Sequence, residues 1–174
     1  QDVMSNQPFT LKLRIPGWLE SGSLQIGGQK LALTGADAGT YLDVRVDPAK
    51  RPEILLTFDM PVRYTIAHPM VEEDVNQVSV ERGPLVYCME SPDAGVQSID
   101  DLVLFSNAEF TAVPYEIQGQ TVTALETRAG RLIRPGYRPD ALYQKFNVTG
   151  VEELPVRLIP YFAWDNRGFG EMRI

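Results

Sequence analysis

Apolar and polar residues alternate with a period of two along nearly the whole chain, and this constrains the fold more than any other feature. In FTLKLRI, Phe9, Leu11, Leu13 and Ile15 point one way, while Thr10, Lys12 and Arg14 point the other. The pattern returns in YLDVRVD (Leu42, Val44, Val46), EILLTFD (Ile54, Leu56, Phe58), PVRYTIAH (Val62, Tyr64, Ile66) and NQVSVE (Val78, Val80). Such alternation marks strands with one face buried and one wet. Further strands are expected at Leu85–Glu90, Leu102–Phe105, Glu116–Ile117, Thr121–Thr127, Val156–Trp164 and Glu171–Ile174.

Turn chemistry separates these runs: Pro16–Trp18, Gly27–Gly28, Asp47–Pro52 and Arg134–Pro139. No stretch holds a helical period for ten residues; short helical turns are expected only at Val71–Val75, Ser98–Asp101 and Asp140–Phe146. Many short strands between regular turns predict an all-β, antiparallel sandwich of jelly-roll type. The alternation breaks at AHPMVEEDV, which divides the chain into residues 1–67 and 68–174.

Composition excludes several functions. The 174 residues carry 16 Lys and Arg against 23 Asp and Glu, a net charge of −7. A nucleic-acid binder needs clustered cations to neutralise phosphates. Here the densest basic patch, Arg128–Arg138, is broken by Gly and Pro, so no nucleic-acid partner is expected. No apolar run reaches the ~20 residues of a membrane span, so no membrane partner is expected. QDVMSNQPF has neither the basic start nor the apolar core of a leader, and it lacks an initiator Met, which suggests a processed product or a piece of something longer.

The single cysteine, Cys88, lies in VERGPLVYCMES between Glu81 and Glu90. Alternation puts Cys88 on the face of Val86 and Glu90, which suggests a nucleophile beside an acid. A reactive thiol, however, needs a nearby His or a helix start. His68 is the only histidine, and nothing in the sequence brings it near. Cys88 therefore reads as a small buried hydrophobe, and no catalytic residue is assigned. One Cys and one His do not make a zinc site. The acidic pairs Glu72–Asp74, Asp100–Asp101 and Glu152–Glu153 match no calcium loop and read as solvated turns. No metal ligand and no cofactor are assigned within the chain.

Aromatic residues are the remaining signal. PYFAWDNRGFG places Phe162 and Trp164 on one face of an extended strand and Tyr161 on the other, ahead of a loop with Asn166 and Arg167. Sugars take aromatic platforms rimmed by polar side chains. Trp18, Trp164, Asn166 and Arg167 are thus the carbohydrate-binding candidates. The competing expectation has Trp18, Tyr87, Tyr161, Phe162 and Trp164 as core anchors and Asn166 and Arg167 as holders of a turn.

Three stretches in order, FTLKLRIPGW, HPMVEEDVNQVSVERGPLVYCMESPD and IPYFAWDNRGFGEMRI, resemble the C-terminal β-rich part of the β-L-arabinofuranosidases, glycoside hydrolase family 127. Departures are Gly27–Gly28 in place of an Asn-Gly hairpin and DPAKRPE before the next strand. The resemblance implies a bacterial glycoside hydrolase acting on plant glycans. It implies that the family's cysteine nucleophile, glutamate acid/base and zinc ligands lie in a preceding (α/α)6 barrel, and none of these maps here. Residues 1–67 would be the second half of a middle sandwich, and 68–174 a complete last one. The expected partner is that barrel, which the region would scaffold. A plant oligosaccharide is the candidate ligand of an autonomous carbohydrate-binding module, the alternative role. An incomplete sheet exposes an edge and an apolar face, so a homo-oligomer is also expected. Cytoplasm and periplasm both stay open.

Overall fold

A computed structural model of the chain describes residues 7–96, 98–136, 138 and 140–174; residues 1–6, where a leader was sought, and Tyr137 and Pro139 of the Arg134–Pro139 turn lie outside them. The chain divides into two compact units, 1–61 and 62–174. The sequence placed this division at 67. It falls earlier because Val62–Thr65 pairs with Ser79–Arg82, and backbone pairing outweighs the break in alternation at Pro69.

The first unit is a small sandwich of two antiparallel sheets. Strands β1 (Phe9–Arg14) and β4 (Tyr41–Val46) form one. Strands β2 (Ser21–Ile26), β3 (Gln29–Thr34) and β5 (Ile54–Phe58) form the other, in the order β3-β2-β5. Leu24, Val44 and Val46 pack with Leu11, Leu13, Ile54 and Leu56 between the layers. A second cluster gathers Ile15, Leu19 and Leu33. The three-stranded sheet is wider than its partner: Leu31, paired with Leu24 on edge strand β3, is 54% exposed.

The β2–β3 hairpin escaped the sequence reading. Its flanks, Ser21–Ser23 and Gln29–Lys30, carry little alternation. The turn itself specifies it. Gly27 and Gly28 take φ of 52° and 88°, the paired positive values of the two-residue hairpin loop that matches strand twist.

The second unit contains β6 (Val62–Thr65), β7 (Ser79–Arg82), β8 (Leu85–Glu90), β9 (Leu102–Leu104), β10 (Thr111–Ile117), β11 (Gln120–Ile133), β12 (Gly150–Pro160) and β13 (Met172–Arg173). They form one antiparallel sheet, β10-β11-β12-β8-β7-β6, with β13 beside β8 and β9 beside β11. Its strands stay continuous and curl into a half-barrel. Both faces are covered, as in a sandwich. Tyr87, Met89, Leu125, Val156 and Leu158 pack on one face; Cys88, Ile117, Val122, Ala124 and Ile159 pack on the other. The alternation read for Leu85–Glu90 is the one observed.

Of the helical turns expected, Glu72–Asp74 and Ile99–Asp101 are 3-10 turns, while 140–146 is irregular. The expected strand Val156–Trp164 stops at Pro160 and passes into a 3-10 turn at Tyr161–Ala163.

Candidate functional site

Strand β8 ends at Glu90 and leads into a single helical turn, Ser91–Ala94. This sets two carboxylates, Glu90 and Asp93, side by side at 8% and 4% side-chain exposure. Buried carboxylates need compensating charge, and Arg167 supplies it from the loop after the 161–163 turn. Its Nη1 donates to Asp93 Oδ1 at 2.9 Å, and its Nη2 donates to Asp93 Oδ2 at 2.5 Å and to Glu90 Oε2. Nη1 also reaches the Tyr115 hydroxyl at 3.2 Å. A second guanidinium, Arg157, lies 4.2 Å over the Tyr115 ring, 3.7 Å from Asp93, and bonds Glu126 at 2.7 Å. Donating hydrogen bonds to Asp93 first, and then to Glu90, raises the pKa of Arg167 further, so it is a permanent cation.

This network ties down the loop above it. Asp165 has φ of 60°, and its N–H donates to Glu90 Oε1 at 3.1 Å. Asn166 Nδ2 donates to the carbonyls of Ala163 and Trp164, each at 3.1 Å. Asn166 and Arg167 therefore hold the turn in which they sit.

The aromatic side chains of this loop face water. Tyr161 is 41% exposed, Phe162 66% and Trp164 37%. The expectation of a core aromatic strand is corrected for these three. A 3-10 turn has three residues per turn, so i and i+3 eclipse. Tyr161 and Trp164 accordingly stack with centroids 6.0 Å apart and planes at 8°, whereas a strand would have sent them to opposite faces. Tyr87 is fully buried, and its hydroxyl donates to the Thr123 carbonyl at 3.1 Å. Trp18, in the first unit, is half-buried with its ring edge-on to Phe58 at 5.8 Å. Of the carbohydrate candidates, the fold brings together Trp164, Asn166 and Arg167.

Beside this loop is a pocket of about 130 Å³ walled by Gln118, Gln120, Phe162 and Asn166. Sequence reasoning missed Gln118 and Gln120. Their signal was the Gln-Gly turn between β10 and β11, where Gln118 takes φ of 47°.

The nucleophile reading fails on geometry. Cys88 has no exposed surface and packs among Ile117, Val122, Ala124 and Ile159. Burial pushes its thiol up to about 12, and the charges of Glu90 and Asp93 push the same way. Glu81 is held by Arg63 at 2.9 Å and Glu90 by Arg167, so neither is a free acid/base. His68 is exposed, and its Nδ1 accepts from the Met70 N–H at 3.2 Å. Asp100–Asp101 and Glu152–Glu153 are tied up in ion pairs, and Glu152–Glu153 lies within β12 and not in the solvated turn expected. Asp100 bonds Arg173, Asp101 Arg134, Glu152 Arg131 and Glu153 Arg128. Among the described residues no three His, Cys, Asp or Glu side chains gather to hold a metal ion.

A family model described as the glycoside hydrolase family 127 C-terminal domain matches residues 62–174, and one described as the beta-L-arabinofuranosidase, GH127 middle domain, matches residues 2–60. A non-reducing end beta-L-arabinofuranosidase of Bifidobacterium longum subsp. longum is 33% identical, over 93% of this chain and 25% of that protein. Two solved structures superpose closely. One, described as a glycoside hydrolase, has a TM-score of 0.83 at 38% identity, over 96% of this chain and 27% of its own. The other, a GH127 beta-L-arabinofuranosidase from Geobacillus stearothermophilus T6, has a TM-score of 0.80 at 33% identity, over 98% and 26%. The chain spans about a quarter of the length of these relatives.

Proposed function

The chain belongs to glycoside hydrolase family 127, as its middle and C-terminal domains, and from that premise we propose that it is the non-catalytic scaffold of a β-L-arabinofuranosidase acting on plant glycans, docked on a catalytic (α/α)6 barrel elsewhere in the enzyme. The observation that carries the docking is the loop between β11 and β12. Its Leu142, Tyr143 and Phe146 are 95%, 94% and 90% exposed. Three large apolar side chains bare within residues 142–146 of one loop are costly in water and mark a contact surface. Leu31, left open on the inner face of β3, is of the same kind. The absence of catalysis rests on the groups described above. The one thiol is sealed in the core, and the carboxylates beside it are held by arginines. These residues do not fit the family's zinc either, so no step here runs through a metal.

The test compares the 174-residue chain with the longer enzyme. The chain alone releases no sugar from an aryl β-L-arabinofuranoside and self-associates in sedimentation, because its contact loop is bare. Leu142→Ser, Tyr143→Ser and Phe146→Ser together lower the melting temperature of the full enzyme. Hydrolysis by the chain alone, or a full enzyme indifferent to the three substitutions, would overturn the reading.

A further inference from the structure

The pocket beside Phe162 is built differently from a packing contact. The 3-10 turn sends Tyr161 and Trp164 to one side, where they satisfy each other. Phe162 leaves the turn in another direction, and its largely bare ring forms one wall of the pocket. Gln118, Gln120 and Asn166 supply the polar lining, Ile117, Val122 and Ala163 complete it, and no lining residue is charged.

The hydrogen-bonding capacity of these amides is partly spent and partly open. Asn166 commits its Nδ2 to two carbonyls of its own loop, which leaves Oδ1 as an acceptor. Gln118 commits Nε2 to the Asn166 carbonyl, which leaves Oε1 as an acceptor. Gln120 makes no side-chain hydrogen bond among the described residues, so it offers both a donor and an acceptor. Two of the three groups are held in place before any ligand arrives, which lowers the ordering cost of binding.

We propose that this pocket is a binding subsite for a neutral sugar residue, with Phe162 against the apolar face of the ring and Gln118, Gln120 and Asn166 on its hydroxyls. A charged ligand finds no counter-charge here, and a purely apolar one would leave the amides unpaired. Hydroxyls, which both donate and accept, suit a wall of carboxamides. A volume of about 130 Å³ holds roughly four waters at their liquid share of ~30 Å³ each, the space of one ring end and not of a chain. The subsite is independent of the scaffold role, since binding is read without hydrolysis.

The experiment is saturation-transfer NMR on the 174-residue chain with L-arabinose, D-galactose and their methyl glycosides. One-ring contact predicts a dissociation constant on the order of 1–10 mM for at least one of them. Phe162→Ala and Gln120→Leu, both on the surface, keep the wild-type melting temperature and weaken binding about tenfold, the scale of one lost stacking or hydrogen-bond contact. Trp18→Phe leaves binding unchanged. Equal affinity for a sugar and its methyl glycoside assigns the subsite to chain ends, and preference for the free sugar assigns it to the monosaccharide. No saturable transfer with any of the four, or affinity unaltered in both pocket variants, overturns the proposal.

Discussion

Arg167 and Asp93, 74 residues apart in sequence, meet through two parallel hydrogen bonds of 2.9 and 2.5 Å, the fork-on-carboxylate geometry that arginine alone provides. Glu90 shares the same guanidinium. Removing Arg167 would leave two carboxylates below 10% side-chain exposure with, among the described residues, only Arg157 in ion-pair range, at 3.7 Å from Asp93. Breaking one partner out of such a buried pair costs roughly 3–5 kcal/mol. Arg167→Ala is therefore expected to lower stability by that order in urea unfolding and to shift the emission of Trp164, whose loop it pins. Arg167→Lys does not restore it, because an ammonium cannot bond both oxygens in one plane. The exposed pair Lys12–Asp43, at 65% and 58%, is the internal control: Lys12→Ala changes stability by less than about 1 kcal/mol. A loss of similar size at Arg167 would mean that the network does not hold the loop.

Cys88 gives a prediction in pH. Its ordinary thiol value is 9.0, and burial holds it up to about 12 in the folded chain. A folded pKa above the unfolded one means that the unfolded chain ionises first. The stability from the neutral thiol is then complete below pH 9 and is lost as pH rises toward 12. Urea midpoints measured from pH 8 upward fall in the wild type and fall less in Cys88→Ala. A residual fall above pH 10 persists in the variant, because burial raises the phenols of Tyr64 and Tyr87 too. At pH 8 an aromatic disulfide reagent labels the thiol only after denaturant is added. Rapid labelling of the native chain would show that the thiol is reachable and revive the nucleophile.

These features differ in how far the sequence shows them. The alternation of β1, β4 and β5 is plain because each turns its large apolar side chains inward at every second position, and it persists in β8 although both faces of that strand are buried. It even separates Tyr87 from Cys88 onto opposite clusters. The four residues Tyr161–Trp164 are too few for a period to decide between strand and 3-10 turn. Tyr161, Phe162 and Trp164 are therefore exposed where the pattern predicts a core strand, while the turn role of Asn166 is legible because an Asn amide bonds its own loop. The Glu90–Asp93–Arg167 network was not legible at all. It depends on β12 and β13 both pairing with β8, which brings residue 167 back to residue 90. The amide pocket depends in the same way on a hairpin and a turn far apart in the chain.

Arg63 and Glu81 are direct cross-strand partners on β6 and β7, with Nε and Nη2 at 3.1 and 2.9 Å from one carboxylate oxygen. Hydrogen bonds from Arg63 first, then from Thr65, hold the Glu81 carboxyl below its ordinary value of 4.5. A folded pKa below the unfolded one gives stability that is present above pH 4.5 and is lost as pH falls through the folded value. At 35% and 21% side-chain exposure, solvent screens the pair, and its worth is about 1 kcal/mol. Its location matters more than its size. Strand β6 is the last in the sheet order and has only β7 beside it among the described residues, so this pair is one of few attachments at that edge. Glu81→Gln is therefore expected to leave the global unfolding midpoint at pH 7 nearly unchanged while speeding hydrogen exchange at the β6 amides. Acidifying the wild type from pH 5 to 3 should reproduce that local fraying, and the variant should show no further change from it. If the two chains lose β6 protection in parallel as pH falls, the edge is held by Val62 and Tyr64 in the core cluster and not by this ion pair.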